Sequence, residues 1–239
     1  MTDSSFRAKP GFDDYAADYD VALERGISLS GENKEYFAGA RVAWLAERLK
    51  ELEYRPEAVL DYGCGIGSHT PFLLNLDGAE SVLGVDVSGQ SLEIARQLNE
   101  TDRAKFLELS RHRPDDQHDL VFTNGVLHHV PRGDRPGVID YVYRSLRRGG
   151  LFALWENNPW NPGTRLAMRR IPFDRDAIPL SAPEARRLVR AGGFEVLRTD
   201  YLFIFPRAFR RLRWLEPHLA GLPFGAQYEV LCRKPANRA

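Results

Sequence analysis

A glycine-rich turn at residues 59–67 limits what this chain can fold into more than any other feature. The apolar run Ala58-Val59-Leu60 leads into Asp61-Tyr62-Gly63-Cys64-Gly65-Ile66-Gly67, and a stretch that can form a helix follows. Glycine lacks a Cβ atom, so the backbone can turn sharply here and approach a ligand closely. A short apolar strand of this kind is typical of a buried parallel sheet. The sequence therefore predicts a ligand site at the carboxyl end of the first strand.

Strand-like and helix-like segments alternate after this turn. Ser88 and Ser181 stand where helices would begin, and Glu184 completes capping-box spacing with Ser181. The alternation favours an α/β fold in which a doubly wound, mainly parallel sheet is covered by helices on both faces. We expect a helix over residues 138–146 that ends at Gly149-Gly150. We expect strands at residues 58–60, 81–85, 104–109, 120–123 and 151–155, and two closing strands at 201–205 and 227–232, the last of them antiparallel.

The chain is predicted to be a single domain of residues 1–239, since no linker rich in Gly or Ser divides it. Residues 1–52 carry apolar side chains at helical spacing and are predicted to form an N-terminal helical cap. Residues 156–180 and 206–225 interrupt the strand–helix alternation. They are candidate lid insertions, because both follow strands at the end of the sheet where a ligand would bind.

Composition narrows the class of protein. The chain is 43% hydrophobic and 28% charged, and it has two cysteines, which is too few for a disulfide framework. We expect a cytoplasmic protein with no transmembrane segment, because no long apolar run occurs and Met1–Tyr19 is polar and acidic. A net charge of zero argues against nucleic acid as a partner. An excess of basic residues from Trp160 onwards favours an anionic acceptor, or a negatively charged surface, near the C-terminal half, and a solvated arginine-rich face is the alternative.

An acidic residue follows the turn at a distance that suits a nucleoside. Asp86 ends the next predicted strand, and a carboxylate there can accept hydrogen bonds from both ribose hydroxyls. A dinucleotide fingerprint would place its third glycine at Ser68, whereas this chain has it one position earlier, at Gly67. Asp61, two residues before the first glycine, is also no part of that fingerprint. An NAD-dependent oxidoreductase is therefore disfavoured.

Residues 59–67, 84–88 and 119–131 resemble the motifs of class I methyltransferases that depend on S-adenosylmethionine (SAM), particularly the small-molecule group that includes ubiquinone-biosynthesis-like enzymes. The resemblance spans residues 15–150. It implies a Rossmann-like, seven-stranded sheet of order 3-2-1-4-5-7-6 with SAM across the ends of the first strands. It also implies methyl transfer by in-line displacement to a small molecule, to oxygen or nitrogen rather than carbon, with S-adenosylhomocysteine as the product.

The same resemblance implies which residues hold the cofactor. Asp86 would bind the ribose, and Val87 would lie against the adenine. Ser110 departs from the pattern, because the family commonly has an acid at this position, and Glu108 is the alternative. The full set of cofactor residues that it implies is Tyr19, Asp61, Gly63, Cys64, Gly65, Gly67, Asp86, Val87, Ser110 and Asn124.

Two adjacent histidines are the candidates for catalysis. His128 and His129 follow the fourth predicted strand, and imidazole titrates near neutrality, so either ring could take a proton from the acceptor. A packing role for either histidine is the alternative. No metal site is expected, because the histidines are adjacent rather than four residues apart and no nearby carboxylate completes a ligand set.

The acceptor is predicted to lie against the loop that begins at Glu156. Asn157 and Trp160 of this loop are candidate substrate-binding residues, and Tyr15 could form the opposite wall. The basic stretch at 206–219 is a lid, a dimer surface, a contact with anionic lipid, or packing against the sheet edge. We expect a monomer or a homodimer. An RNA methyltransferase and a non-catalytic SAM-binding scaffold remain the alternative functions.

Overall fold

The computed structural model describes residues 26, 28–171, 174 and 177–236, with the backbone alone for residue 29. One seven-stranded sheet runs through this part of the chain, in the order β3-β2-β1-β4-β5-β7-β6. This is the predicted order. The strands are β1 (Ala58–Tyr62), β2 (Ser81–Asp86), β3 (Ala104–Glu108), β4 (His118–Asn124), β5 (Leu146–Asn157), β6 (Glu195–Leu202) and β7 (Gln227–Arg233).

Helices connect most of these strands. The predicted cap at Ser88 is confirmed, because its side chain accepts a hydrogen bond from the Ser91 N–H. Asn33, which is not a predicted cap, accepts one from the Tyr36 N–H. Ser181 and Glu184 form the predicted capping box. The α-helices are α1 (Lys34–Glu51), α2 (Thr70–Leu73), α3 (Gly89–Asn99), α4 (Arg135–Ser145), α5 (Pro162–Arg170), α6 (Ala182–Ala191) and α7 (Glu216–Leu219), and 3₁₀ turns occupy Ser28–Ser30, Leu109–Arg111 and Arg207–Leu215.

Strand pairing determines where the site lies. β3, β2, β1, β4 and β5 run parallel to one another, whereas β7 is antiparallel to both β5 and β6. The carboxyl ends of β1, β2 and β4 therefore meet at one edge of the sheet. That edge carries Tyr62, Asp86 and Asn124 at the three strand ends, which is where ligands bind in open α/β sheets.

Apolar side chains are buried on both faces of the sheet. Leu60, Val121 and Phe152 lie in a cluster with α4 and α6, while Phe122 and Trp155 lie in a second cluster with α1. Full burial of one such side chain contributes roughly 1.5–3 kcal/mol. The helical stripe predicted for residues 42–52 is confirmed at Val42, Leu45 and Leu49, which are all buried. This packing fixes α1 against the sheet beside the ligand edge.

Two boundary predictions are wrong. The strand expected at 201–205 is β6, which spans Glu195–Leu202 and ends before Phe203, because the left-handed backbone of Phe203, with φ of +63°, does not continue a strand. The second concerns a pair of glycines. Gly149-Gly150 does not end a helix, because α4 ends at Ser145 and both glycines lie inside β5. A Cβ atom on Gly150 would lie 3.1 Å from the carbonyl oxygen of Asp119 on the neighbouring strand. The pair therefore permits close approach of two strands rather than a helix stop, a use that the sequence pattern does not distinguish.

The two candidate lids are joined to each other. The Asn158 side-chain amide donates to the carbonyl oxygens of Gly225 at 2.8 Å and Pro223 at 3.1 Å. Thr164 donates its hydroxyl to the carbonyl oxygen of Ala226 at 2.7 Å. These bonds fix residues 158–164 against residues 223–226 as one wall at the ligand edge.

Within the described residues, no helix is long and apolar enough to span a membrane.

Candidate functional site

The glycine turn takes the left-handed backbone that its residues permit. Gly63, Gly65 and Gly67 have φ values of +73°, +55° and +75°, a region that side chains with a Cβ rarely occupy. A Cβ atom on Gly63 would lie 2.3 Å from Cγ2 of Val126, whereas one on Gly65 would meet nothing within 4 Å. Gly63 therefore serves the close packing of the turn, and Gly65 leaves open space for a ligand beside the backbone.

Asp86 ties the turn to the end of β2. Its Oδ2 accepts a hydrogen bond from the Gly65 N–H at 2.8 Å, and its Oδ1 accepts from the Ser88 N–H at 2.9 Å. The carboxylate thus stands between the turn and the start of α3. Two backbone donors hold it in place at the sheet edge, as a ribose-binding carboxylate requires.

Asp61 lies behind the turn and is almost completely buried. Burial, with a further contribution from the nearby Asp86 carboxylate, raises the pKa of Asp61 to about 8. Its Oδ2 has no hydrogen-bond partner among the described residues. A buried carboxyl of this kind is costly unless a donor or a positive charge completes it, so Asp61 favours a cationic or hydrogen-bonding ligand next to the turn.

The sheet edge is open to solvent where β2 and β3 end. The Val87 side chain is 68% exposed, so an apolar surface is available to an aromatic base. Glu108 lies directly beside Asp86 in the parallel register of β2 and β3, and it accepts a hydrogen bond from the Ser110 hydroxyl at 3.4 Å. Both candidates for the adenine contact therefore lie at this end of the edge. Either Glu108 or Ser110 can reach a base that lies on Val87.

A cavity of about 370 Å³ continues from the turn under α1 and the joined lids. This volume lies within the range that small-molecule sites occupy, about 300–1,000 Å³. Polar atoms concentrate where β4 and β5 end. Asn124 lines the cavity there, and its buried Oδ1 has no partner in the described part of the chain. Apolar side chains form the far wall, namely Phe37, Met168, Ile171 and Phe203.

His128 is held at the cavity floor by Glu156, a fully buried residue of β5. The His128 Nδ1–H donates to Oε2 of Glu156 at 2.6 Å, while the Leu127 N–H donates to Oε1 at 2.7 Å. Burial lowers the pKa of His128, but the carboxylates of Glu156 and Asp174 outweigh it and raise this pKa to about 10. The ring is therefore fixed in orientation, with its Nε2 directed away from Glu156.

Asp174 joins both histidines from a segment that is distant in sequence. Its Oδ1 lies 3.5 Å from Nε2 of His128 and 3.3 Å from Nε2 of His129. The two imidazole hydrogen bonds outweigh the effect of burial and lower the pKa of Asp174. The premise that no carboxylate lies near the histidines is therefore wrong, because Asp174 comes to them across the fold.

The described residues contain two groups of side chains that could hold a metal ion. In each group the ligand atoms lie within 4.8 Å of one another. The first group lines the cavity and consists of His128, His129 and Asp174. The second consists of His112 and Asp115, which precede β4, and His118, the first residue of β4, and it lies away from the cavity lining.

A chain of hydrogen bonds follows the opposite side of the cavity. Arg41 is buried and donates its Nε–H to the Gln227 side chain at 2.8 Å, and its Nη1 lies 3.2 Å from Nε2 of His69. Gln227 in turn donates to Oδ1 of Asn157 at 3.0 Å. Burial and the Arg41 charge lower the pKa of His69 well below its usual range. This wall therefore presents a cation and amides to whatever enters the cavity.

The predicted site residues fall into four places. Asp61 lies beneath the turn, and Gly67, Asp86, Val87 and Ser110 lie on the sheet edge outside the cavity lining. Trp160 is 54% exposed and is absent from the lining, so its role in binding substrate stays a prediction. Tyr15 and Tyr19 lie outside the described residues. The cavity brings together Gly63, Cys64, Gly65, Asn124, His128, His129 and Asn157.

Sequence reasoning missed several residues of the cavity. Arg41 and Asp174 come from segments with no motif, and neither has a neighbour in sequence that signals a site. The sequence gives one indication that Glu156 belongs to the site. A charged residue at the end of a predicted buried strand needs a buried partner. That partner is His128, which lies at the end of the adjacent strand β4.

These residues fit S-adenosylmethionine. The open space at Gly65 admits a ligand against the backbone, and Asp86 and Val87 can take its nucleoside. Asn124 lines the cavity at the end of β4, and its buried Oδ1 has no hydrogen-bond partner among the described residues. The donor carries its activated methyl group on a sulfonium, so the chain's task is to bind and orient it. The remaining cavity leaves room for an acceptor beside the histidines.

Comparison with known proteins also indicates a methyltransferase. Residues 59–150 match the family described as a methyltransferase domain. Trans-aconitate 2-methyltransferase from Methylobacterium nodulans is 30% identical over 77% of this chain and 78% of its own length. The enzyme of the same name from Azoarcus sp. strain BH72 is 31% identical over 69% of this chain and 70% of its own length.

Solved structures agree at the level of the fold. An S-adenosylmethionine-dependent methyltransferase from Mesorhizobium loti covers 74% of this chain and 90% of its own, with a TM-score of 0.55 and 19% identity. A SAM-dependent methyltransferase from Archaeoglobus fulgidus covers 81% and 94%, with a TM-score of 0.57 and 16% identity. With its glycine turn, its strand order and these relatives, the chain belongs to the class I SAM-dependent methyltransferases and uses SAM as its methyl donor.

Proposed function

We propose that this methyltransferase acts on a small carboxylate-bearing acceptor and methylates one of its oxygen atoms. The observation that carries the proposal is the single cavity that joins the glycine turn to the His128–His129 floor. Its volume suits a small organic acid better than a nucleotide within an RNA. Trans-aconitate, the substrate named for the relatives, is a carboxylate, and Arg41 in the cavity wall supplies a charge that such an acceptor can meet.

In the proposed reaction the chain positions the acceptor oxygen in line with the methyl group, about 3–3.5 Å from it. The acceptor would lie between the turn and the apolar wall, where Met168 and Phe203 exclude water. His128, oriented by Glu156, and His129 contact the acceptor oxygen and are the proposed catalytic residues. Asn157 binds the acceptor from the end of β5, and Trp160 and Tyr15 remain proposed contacts.

A hydroxyl acceptor is the second candidate, and the short hydrogen bond between His128 and Glu156 favours it. An imidazole backed by a carboxylate is the usual arrangement for removing a proton from a hydroxyl group. Because the pKa of His128 is raised to about 10, the ring would act as this base only at alkaline pH. A carboxylate oxygen needs no such help, because it is already ionised at neutral pH. The two candidates therefore differ in whether a base is required.

An assay with isotopically labelled SAM tests the proposal. Trans-aconitate and a panel of small carboxylic acids would be compared with phenols and alcohols of matched size, and mass spectrometry would locate the new methyl group. We expect methyl esters from the acids. Methylation confined to the hydroxyl compounds would instead support the second candidate. No product from any of them, together with activity on total RNA, would overturn both. Action in the cytoplasm, as a monomer or homodimer, stays a prediction.

A further inference from the structure

The cluster at the cavity floor has a geometry that a salt bridge does not explain well. Hydrogen bonds between a charged imidazole and a carboxylate are usually about 2.7–2.9 Å long. The His128–Glu156 contact is shorter than this, at 2.6 Å, whereas Oδ1 of Asp174 lies 3.5 Å from Nε2 of His128 and 3.3 Å from Nε2 of His129. The hydrogen bonds of Asp174 to the two imidazoles are thus longer than those of a close ion pair.

Those separations match the edges of a metal coordination shell. Two ligand atoms that each lie about 2.1 Å from an ion, at an angle near tetrahedral, are about 3.3–3.5 Å from each other. His128, His129 and Asp174 each offer one ligand atom, and these three atoms lie within 4.8 Å of one another. Two imidazoles and one carboxylate are a common ligand set for divalent transition metals.

The support behind His128 is also of the kind that metal sites use. A histidine that binds a metal generally donates its other ring N–H to a carboxylate, which fixes the ring and raises its basicity. Glu156 accepts that hydrogen bond from Nδ1 and is itself held by the Leu127 N–H. The His128 and Asp174 side chains are only 4% and 6% exposed, and both line the cavity. Little water competes for an ion at this position.

We propose that His128, His129 and Asp174 bind one divalent transition-metal ion at the floor of the acceptor cavity, with Glu156 as the outer support of His128. Three protein ligands leave at least one coordination position for an oxygen atom. If the proposed function holds, that atom belongs to the acceptor, and the ion orients it towards the methyl donor. Metal binding itself does not depend on which acceptor is used.

Co²⁺ is a suitable probe, because its visible spectrum reports nitrogen and oxygen ligands directly. The full chain would be freed of metal with a chelator and titrated with Co²⁺ by calorimetry and absorption. We expect one equivalent to bind. We expect Asp174→Asn to weaken binding by at least 10-fold, and Glu156→Gln to weaken it by about 10- to 100-fold, as outer-shell substitutions usually do.

Asp115→Asn is the matched control, since Asp115 belongs to the second cluster of histidines and a carboxylate. This variant should bind Co²⁺ at the cavity floor as the unaltered chain does. Thermal melting and S-adenosylhomocysteine affinity would establish that every variant is folded. Undiminished Co²⁺ binding by Asp174→Asn would overturn the proposal. So would loss of binding in Asp115→Asn alone, or no binding to the unaltered chain.

Discussion

The donor half and the acceptor half of the site are assembled in different ways. The donor half consists of the turn at 61–67 and the edge at Asp86, which a single strand–helix–strand unit supplies. The proposed acceptor half draws on α1, on the ends of β4 and β5, on Asp174, and on residues 203–206. Local sequence therefore specifies the donor site, whereas only the completed fold specifies the acceptor site.

The two halves also satisfy their polar groups differently. Backbone N–H groups hold Asp86, so the donor half needs few particular side chains. Side chains from distant segments hold one another in the acceptor half, as in the pairs His128–Glu156 and Arg41–Gln227. A side-chain network of this kind can change with the substrate while the fold stays the same. Substitutions should accordingly affect either donor binding or acceptor chemistry, and seldom both.

The largest separation between the halves is expected at His128. His128→Ala should lower turnover by about 100-fold or more, because it removes the group proposed to contact the acceptor oxygen. Affinity for S-adenosylhomocysteine should change less than about threefold, since no donor residue is touched. Single-turnover kinetics and calorimetry would measure the two quantities. His218→Ala, an exposed histidine outside the cavity, is the control. Equal losses in turnover and cofactor affinity would mean that the halves are not separate.

Asp86→Ala should have the opposite effect and weaken cofactor binding. Asp86→Ala removes a carboxylate that would bind the ribose hydroxyls, and hydrogen bonds to charged groups contribute roughly 1.5–3 kcal/mol. Affinity for S-adenosylhomocysteine should therefore fall by about 10- to 100-fold, as measured by calorimetry.

Two neighbouring variants sharpen this result at the adenine end. If Glu108 binds the base, Glu108→Gln should weaken cofactor binding more than Ser110→Ala does. The opposite order would assign the contact to Ser110. Unchanged binding in Asp86→Ala would remove the ribose assignment altogether.

The contrast between the halves also explains what the sequence could predict. The caps at Ser88 and Ser181 and the glycine turn depend on spacing within a few residues, and these predictions are confirmed. The strand order joins segments that are distant in sequence, and it is implied by the resemblance to the family, which the structure confirms. Asp174 is 45 positions beyond His129, and nothing in the intervening sequence indicates their contact. The helix end predicted at Gly149-Gly150 is wrong because a pair of glycines is equally suited to a helix end and to a close contact between strands. Sequence patterns record local geometry, and the acceptor site depends on contacts between distant segments.

Glu229, a buried acid in β7, makes the free energy of unfolding depend on pH. Glu229 of β7 is paired with Trp155 and Asp200 on the neighbouring strands. Burial and the Asp200 carboxylate raise its pKa to about 8 from an ordinary value of 4.5, although Arg198 and Arg48 oppose the shift. The folded chain therefore retains a proton that the unfolded chain loses. The resulting stabilisation is complete below pH 4.5 and is lost as the pH rises towards 8.

Glu229→Gln should remove that dependence. We expect the variant to be more stable than the unaltered chain above pH 8, by about 1 kcal/mol or more, because an amide carries no charge to desolvate. Chemical denaturation at several pH values would measure the free energy of unfolding. Arg198→Gln, tested in parallel, should enlarge the pH dependence, since it removes a charge that lowers the pKa of Glu229. Parallel stability curves for Glu229→Gln and the unaltered chain would contradict this account.

The smallest effect is expected at Trp160, which the sequence predicted to bind the acceptor. The ring is 54% exposed and outside the cavity lining, while the Trp160 N–H donates to the Asn158 side chain at 3.1 Å. Trp160→Ala retains that backbone bond, so the acceptor KM should change by no more than about twofold, as for other exposed positions. Met168→Ala, which removes a buried part of the cavity wall, should raise the same KM several-fold. A larger rise in Trp160→Ala would mean that the loop from Glu156 closes over the acceptor during binding, so that the acceptor half is completed only by its substrate.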